Sequence, residues 1–526
     1  MTNKIGVCVG THLEKAEAMQ ILTSWLMKWR FSILCLSVFG VMCFHARNGQ
    51  WVGDFWEHSA VVRELATHIL RPQHPQLLLD APHAFFSPYA VLVALLARLL
   101  HVDAVTALSV MGLINLILLF LGIRLFSASV GVACRSAAAF YALLFTLLCW
   151  GSHPWEYSGF FHIGVLGYVL PYPSTFAVAL TLIALGLNRH RVETQQPFWL
   201  VLIWAIAATV LISHPITYIV LAAGLFSQAI AEKGRALSQV VLMGCLLVLA
   251  FLVASFWPYF SVYRLLVHES PAYHFQNKTM YREVAIRIWP SLFALPLVVA
   301  RFRSGWRRPW NLLLAILLVI YTYGAISGKY SYGRVISFIV FLLQFAMAEQ
   351  LSTYESRMLP MYWARRLALP VGIACFVLLL SMAPLLRTLS RSFLGRSPTH
   401  TDYQFLARFT GQYDIVLTDI YSSWFVPTFG GKVVAVPPSH PLAFVPDQDI
   451  RASDIGRFFS EESTLAERTR IMQKYRANYL LLNKSEIACW QDLRRLFAPP
   501  GEVLFESEKF VLVSLMPPET HGHSPE

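Results

Sequence analysis

The chain has 526 residues, of which 56% are hydrophobic and only 14% charged, and its formal net charge is +12. A soluble domain carries about 25% charged residues, so this composition excludes a protein solvated by water along its whole length. The positive excess does not point to nucleic acid. Much of it sits in short loops between apolar runs, where it orients helices, and no soluble basic stretch is interleaved with base-stacking aromatics.

Apolar runs recur from residue 31 to 386, each about long enough to cross a ~30 Å hydrocarbon core. In lipid such runs must be helical, because nothing there pairs with backbone amides. The first, residues 31–46, has no small-residue cleavage site after it and reads as an uncleaved helix. Lys4, Lys15, Lys28 and Arg30 precede it and place the N-terminus in the cytoplasm. Basic loops at 189–191, 233–235, 301–308 and 357–366 belong on that same side. The loops around His214, at 258–282 and at 327–334 then face outward. If 124–135 is also cytoplasmic, residues 104–126 run inward and 136–150 outward, and 86–100, which is short, opens with Ser-Pro and carries Arg98, is then expected to be a re-entrant or interfacial helix. The total is about eleven spans, or twelve to thirteen if 86–100 or 160–170 also crosses.

The fold class is therefore an α-helical polytopic membrane protein with a C-terminal soluble α/β domain. Its expected parts are a cytoplasmic segment (1–30), a multi-helix membrane domain (31–386) with its first outer loop at 47–103, a linker (387–401), an outer α/β domain (402–516) and a disordered tail (517–526). A last helix at 367–385 delivers the α/β domain to the outer face. In that domain, 414–420, 432–436 and 479–483 read as strands, 453–460, 464–475 and 486–497 as helices, and 503–515 as a hairpin. Of the eight cysteines, six (Cys35, Cys43, Cys134, Cys149, Cys245 and Cys375) lie within or at the ends of apolar runs. No disulfide framework or C-x-x-C metal pair exists.

The first outer loop holds Gly53-Asp54-Phe55-Trp56-Glu57-His58, followed by a helical-looking stretch from Ser59 to Ile69 that includes Arg63. Asp54, Glu57 and His58, at offsets of three and four, share one helical face. Carboxylates among aromatics at a membrane surface suit general-base work, since partial desolvation raises their basicity. The same residues also suit an amphipathic helix anchored by its aromatics. His153 and Glu156 lie in an outer loop rich in Gly, Pro and aromatics, which suits a cavity lining. His214, in Ser213-His214-Pro215, reads either as a cap or as a ligand-facing group. Lys329 and Arg334 sit against the orientation bias at an outer helix end, which suits a bound phosphate as well as two snorkelling anchors.

A cytoplasmic N-terminus, an acidic motif in the first outer loop, many helices and an outer α/β domain together resemble the GT-C superfamily of membrane glycosyltransferases. That superfamily includes protein O-mannosyltransferases, oligosaccharyltransferases and aminoarabinose transferases. The resemblance rests on Gly53 to His58, on Ser87-Pro88-Tyr89, and on Val416-Leu417-Thr418-Asp419, Thr428-Phe429-Gly430-Gly431-Lys432-Val433-Val434 and Lys474-Tyr475-Arg476-Ala477-Asn478-Tyr479-Leu480. Many members carry an acidic pair after the first helix. Here two aromatics separate Asp54 from Glu57, which leaves open whether one carboxylate acts or both. The Trp-Trp-Asp acceptor motif of oligosaccharyltransferases is absent.

The resemblance implies transfer of a sugar from a polyprenyl-phosphate donor to a glycan, lipid or protein acceptor at the outer face, by inverting displacement. Asp54 and Glu57 are the implied catalytic pair. His58, Arg63, His153, Glu156, His214, Lys329 and Arg334 are the implied substrate-binding residues. No cofactor is expected and a divalent metal stays open. A bacterial inner membrane suits an envelope enzyme with a periplasmic domain. The alternative is a transporter or lipid flippase with an accessory domain, whose signature of ionisable residues at mid-span is nearly lacking here; Asn115 is among the few polar exceptions.

Overall fold

The computed structural model describes residues 27–49, 51–129, 135–263, 277–358, 390, 402–436, 445, 447–497 and 502–515. The N-terminal segment before Met27, the expected last helix at 367–385, nearly all of the linker and the tail from 517 lie outside these residues.

The membrane portion comprises α1 (Met27–Asn48), α2 (Phe55–Thr67), α3 (Pro88–Leu100), α4 (Ala104–Ser129), α5 (Arg135–Leu148), α6 (Pro173–Thr194), α7 (Phe198–Ser213), α8 (Pro215–Ala231), α9 (Ala236–Ser255), α10 (Val284–Ser304), α11 (Pro309–Ser327) and α12 (Ile336–Met358). Six helices among the described residues are long and apolar enough to cross a membrane: α1, α4, α9, α10, α11 and the stretch Tyr330–Glu355 that contains α12. α3, α5, α7 and α8 are shorter apolar helices between them. Proline opens α3, α6, α8 and α11, at a position whose N–H has no helical partner and whose φ suits the first turn. α3 spans 13 residues and starts from a Ser87 cap that accepts the Ala90 N–H at 3.4 Å.

Close approach of helices, rather than apolar bulk, orders the bundle, since lipid tails are as apolar as leucine. A Cβ on Gly122 of α4 would lie 2.9 Å from the Ala179 carbonyl oxygen of α6, and one on Gly186 of α6 would lie 2.9 Å from that of Leu125. Asn115 of α4 donates to the Leu170 carbonyl at 2.8 Å and to the Tyr89 hydroxyl at 3.1 Å. It fastens neighbouring segments together.

The C-terminal region is a five-stranded sheet of order β2-β1-β3-β5-β4, with β1 (Ile415–Leu417), β2 (Lys432–Val433), β3 (Tyr479–Asn483), β4 (Glu502–Glu506) and β5 (Phe510–Ser514). β2, β1 and β3 run parallel and the β4–β5 hairpin is antiparallel. The accompanying helices are α13 (Gln448–Phe459), α14 (Leu465–Tyr475) and α15 (Trp490–Phe497). The strands at β1 and β2 are shorter than the sequence pattern suggests, α13 begins five residues earlier than expected and α15 four residues later. Propensity marks where an element exists, while its ends are set by caps and by the partner strand.

β3 is apolar along its length because both faces of the sheet are covered. Leu480 and Leu482 face α13 to α15, whereas Tyr479 and Leu481 join Trp56, Phe86 and Val93 of the membrane portion in a shared core. A strand buried on both sides reads as a continuous apolar run. The segment between α2 and α3 also closes the sheet edge: Leu77 bridges to Val433 in parallel, and the Val433 N–H donates to the Gln76 carbonyl at 2.8 Å. Loop and C-terminal sheet are one packed unit at one end of the bundle.

Candidate active site

Gly53 adopts φ +61° and turns the chain out of α1 into α2, a conformation open to glycine at no steric cost. The helix starts at Phe55, earlier than the Ser59 expected from the sequence. The two aromatics of the hexapeptide have packing duties. Phe55 stacks on Trp51 at 4.5 Å between ring centres, and Trp56 lies 5.1 Å from Phe425 of the C-terminal region, where its carbonyl also accepts the Thr428 hydroxyl. These contacts turn Asp54 and Glu57 in different directions.

Asp54 is open to solvent, and its carboxylate makes no hydrogen bond or ion pair among the described residues. Its pKa is nevertheless raised to about 6, first by burial among the surrounding protein and then by the negative charge of Glu57, while Arg334 pulls the other way. Tyr172 feels both carboxylates and braces the hexapeptide by donating its hydroxyl to the Val52 carbonyl at 3.1 Å.

Glu57 is 2% exposed, and its Oε1 lies 3.2 Å from His83 Nε2. Nδ1 of His83 accepts the Phe85 N–H at 3.3 Å, so the single proton of the neutral ring belongs on Nε2, facing the carboxylate. Burial pushes the His83 pKa down to about 3, which keeps it neutral. His83 was not a candidate from sequence; nothing in its local pattern signals that the loop folds it back onto α2.

Arg334 ends a 3-10 turn, Tyr330–Val335, just before α12. Its Nε donates to Asn277 Oδ1 at 2.9 Å and its Nη1 to Ser158 Oγ at 3.3 Å. The Arg334 charge acts on Asp54 and on His214, so the structure gathers these three from distant parts of the chain. His214 contacts the Thr217 hydroxyl at 2.8 Å at the start of α8. Lys329 is exposed, and its ammonium has no partner among the described residues.

The remaining candidates make contacts of their own. Arg63 donates to the carbonyls of Pro427 (3.0 Å) and Gly430, so its guanidinium ties α2 to the C-terminal region. His58 is 6% exposed and stacks on Phe85 at 4.2 Å. His153 and Glu156 are exposed, and the His153 carbonyl accepts from Arg287. Arg264, His268 and His274 of the 258–282 loop lie outside the described residues. Asn277 and Asn483, which head Asn-x-Ser/Thr tripeptides, are 1% and 3% exposed and are held in packing.

No protein-family model matches the sequence, and no curated protein matches it. Solved structures do match. ArnT from Cupriavidus metallidurans bound to undecaprenyl phosphate aligns with a TM-score of 0.56 at 13% identity, over 93% of this chain and 98% of ArnT. The Archaeoglobus fulgidus oligosaccharyltransferase, tethered to an acceptor peptide containing its sequon, aligns with 0.54 at 12% identity, over 89% of this chain and 72% of the other. Arabinofuranosyltransferase AftD from Mycobacteria gives 0.52 at 14% identity, with 87% of this chain matching 35% of AftD. At these identities the likeness is one of fold. The chain has the fold of the GT-C membrane glycosyltransferases: a multi-pass helical membrane domain joined to a small C-terminal α/β domain.

Proposed function

We propose that this chain is a membrane glycosyltransferase that moves a sugar from a polyprenyl-phosphate donor to an acceptor hydroxyl, with Asp54 as general base. What supports the reading is the placement of an Asp54 carboxylate with no hydrogen bond or ion pair among the described residues between the charges of Glu57 and Arg334, with burial and Glu57 raising its pKa to about 6. A base is most useful when its pKa lies near the working pH. At pH 7 this group is mostly ionised yet holds a proton better than a fully hydrated aspartate.

The acceptor oxygen attacks the anomeric carbon while its proton passes to Asp54. The bond from the anomeric carbon to the phosphate oxygen breaks, and its electron pair leaves with the polyprenyl phosphate. Arg334, with exposed Lys329 nearby in the chain, stabilises that departing charge, an interaction strengthened where water is scarce. Displacement in one step inverts the anomeric centre. Glu57 supports the base from behind: held against neutral His83, its charge raises the affinity of Asp54 for the proton.

Support for a lipid-linked donor comes from the likeness to an ArnT structure bound to undecaprenyl phosphate, and for a surface acceptor from an oligosaccharyltransferase holding a peptide. We assign the Asp54 end of the bundle, with the α/β domain, to the outer face and the basic loops to the cytoplasm. The test is transfer of a labelled sugar from polyprenyl phosphate by the purified chain in proteoliposomes. Loss of transfer in Asp54→Asn, with binding of the donor retained, supports the assignment; wild-type rates in that variant overturn it. Flux of label across the membrane without covalent transfer identifies a transporter instead.

A further inference from the structure

At the other end of the bundle lies an enclosure about 320 Å³ in volume, lined in part by Asn188, Arg191, Gln239, Arg301, Trp310 and Glu349. Helix lengths fix how far it is from Asp54. α6 starts beside Tyr172 and carries Arg191 at its far end; at ~1.5 Å per residue this is about 28 Å. α12 starts after Arg334 and reaches Glu349 about 22 Å further on by the same rise. Arg30 at the start of α1 pairs with Glu355 of α12 at 2.9 Å, which marks this end as the one where the first helix begins.

The charges around this enclosure do not balance among the described residues. Arg189 pairs with Glu193 and Glu232, and Arg301 with Glu349 at 2.6 Å. Arg191 and Arg308 make no ion pair among the described residues, and the one carboxylate whose charge acts on Arg191, Glu232, is already paired with Arg189. Arg191 is 7% exposed, and its donors go to neutral amide oxygens, Asn188 Oδ1 at 2.9 Å and Gln239 Oε1 at 2.6 Å. Its Nη1 makes no hydrogen bond among the described residues. Arg308 also lines the enclosure without an ion pair there, and its charge is felt by both Arg301 and Glu349. It is the N-cap of α11, so the positive end of that helix adds to the two guanidinium charges. A buried charge is costly without a counter-charge.

We infer that this enclosure binds a phosphate group from the side opposite Asp54. A phosphate offers several acceptor oxygens to guanidinium forks, which point charges on lysine would match less well. Its volume falls at the lower end of the ~300–1,000 Å³ typical of ligand pockets. Met243, Pro309 and Trp310 give the rest of the ligand an apolar wall. The site is independent of the sugar-transfer reading and would stand if that reading fell.

The test is calorimetric titration of the purified full chain in detergent, separately with inorganic phosphate and with short-chain phosphatidylglycerol. Saturable one-to-one binding of inorganic phosphate identifies a soluble phosphate source, and binding of phosphatidylglycerol alone identifies a lipid headgroup. In either case Arg308→Gln and Arg191→Gln are expected to weaken binding about tenfold or more, the size of one charge-assisted hydrogen bond. Arg308 is exposed, so its variant decides the matter if Arg191→Gln fails to fold. Absence of saturable binding of either probe, or binding that Arg308→Gln leaves unchanged, overturns the inference.

Discussion

Asp54 and Glu64 stand ten residues apart at the head and in the last turns of one helix, about 15 Å along its axis. Glu64 is fully satisfied: it accepts from Lys432 Nζ at 2.6 Å, Gln412 Nε2 at 3.0 Å and the Gln73 N–H at 2.9 Å, and it is 1% exposed. Lys432 in turn spends its remaining protons on the carbonyls of His74 (2.9 Å) and Pro75 (3.1 Å). Asp54 has no such partners and faces an opening. The same residue class thus serves assembly at one end of α2 and reactivity at the other. What differs is whether the carboxylate's hydrogen-bonding capacity is already used.

If that contrast is right, the variants at the two ends fail in different ways. Asp54→Asn is expected to lower the transfer rate by roughly 10²- to 10⁴-fold, the range contributed by a general base. The wild-type rate should rise with pH through a midpoint near 6, where the base loses its proton, and the residual rate of the variant should lack that limb. Stability should move the other way. A carboxyl whose pKa is raised by folding destabilises the folded state above that pKa, so Asp54→Asn should unfold at a higher temperature than wild type at pH 7.5, and the gain should vanish near pH 4. Lower stability of the variant at neutral pH would count against a strained base.

Lys432→Met tests the opposite end. It strands Glu64 in the seam and should cost about 3–5 kcal/mol, whereas replacing both partners by apolar residues should be far milder. Thermal unfolding, together with protease release of the C-terminal domain, would read this. Equal losses in the single and double variants would mean the pair does not hold the seam.

Arg334→Gln should reduce transfer by about 10²- to 10³-fold if it stabilises the leaving phosphate, in line with removing one donor from a charge-stabilising site. Lys329→Gln should do less, because that ammonium is exposed and screened. The smallest effect is assigned to Glu57→Gln. Removing its charge takes away one of the two causes that raise the Asp54 pKa, so the midpoint of the pH–rate limb should move to lower pH. A midpoint that stays in place would show that burial alone tunes the base.

Much of this was legible beforehand. Apolar run lengths set the membrane class, because lipid leaves a helix as the only way to satisfy a backbone. The alternation and turn signals from Asp414 to Leu515 located all five strands. Asp54 and Arg334 stood out as charges in unusual company, although nothing local said they meet. Arg63 was equally prominent, and nothing local announced its hydrogen bonds to the carbonyls of Pro427 and Gly430.

Sequence by itself determined which stretches are apolar and that an acidic hexapeptide follows the first helix. Each of these is a local matter of hydrocarbon length, backbone sterics or donor count. Tertiary structure decided which charges are spent and which are free. It set Glu64 against Lys432 across 368 positions of chain, turned Glu57 toward His83, and left Asp54 open under the influence of Arg334. The physical reason is that a side chain's proton affinity depends on who surrounds it in space, and the chain order does not list those neighbours.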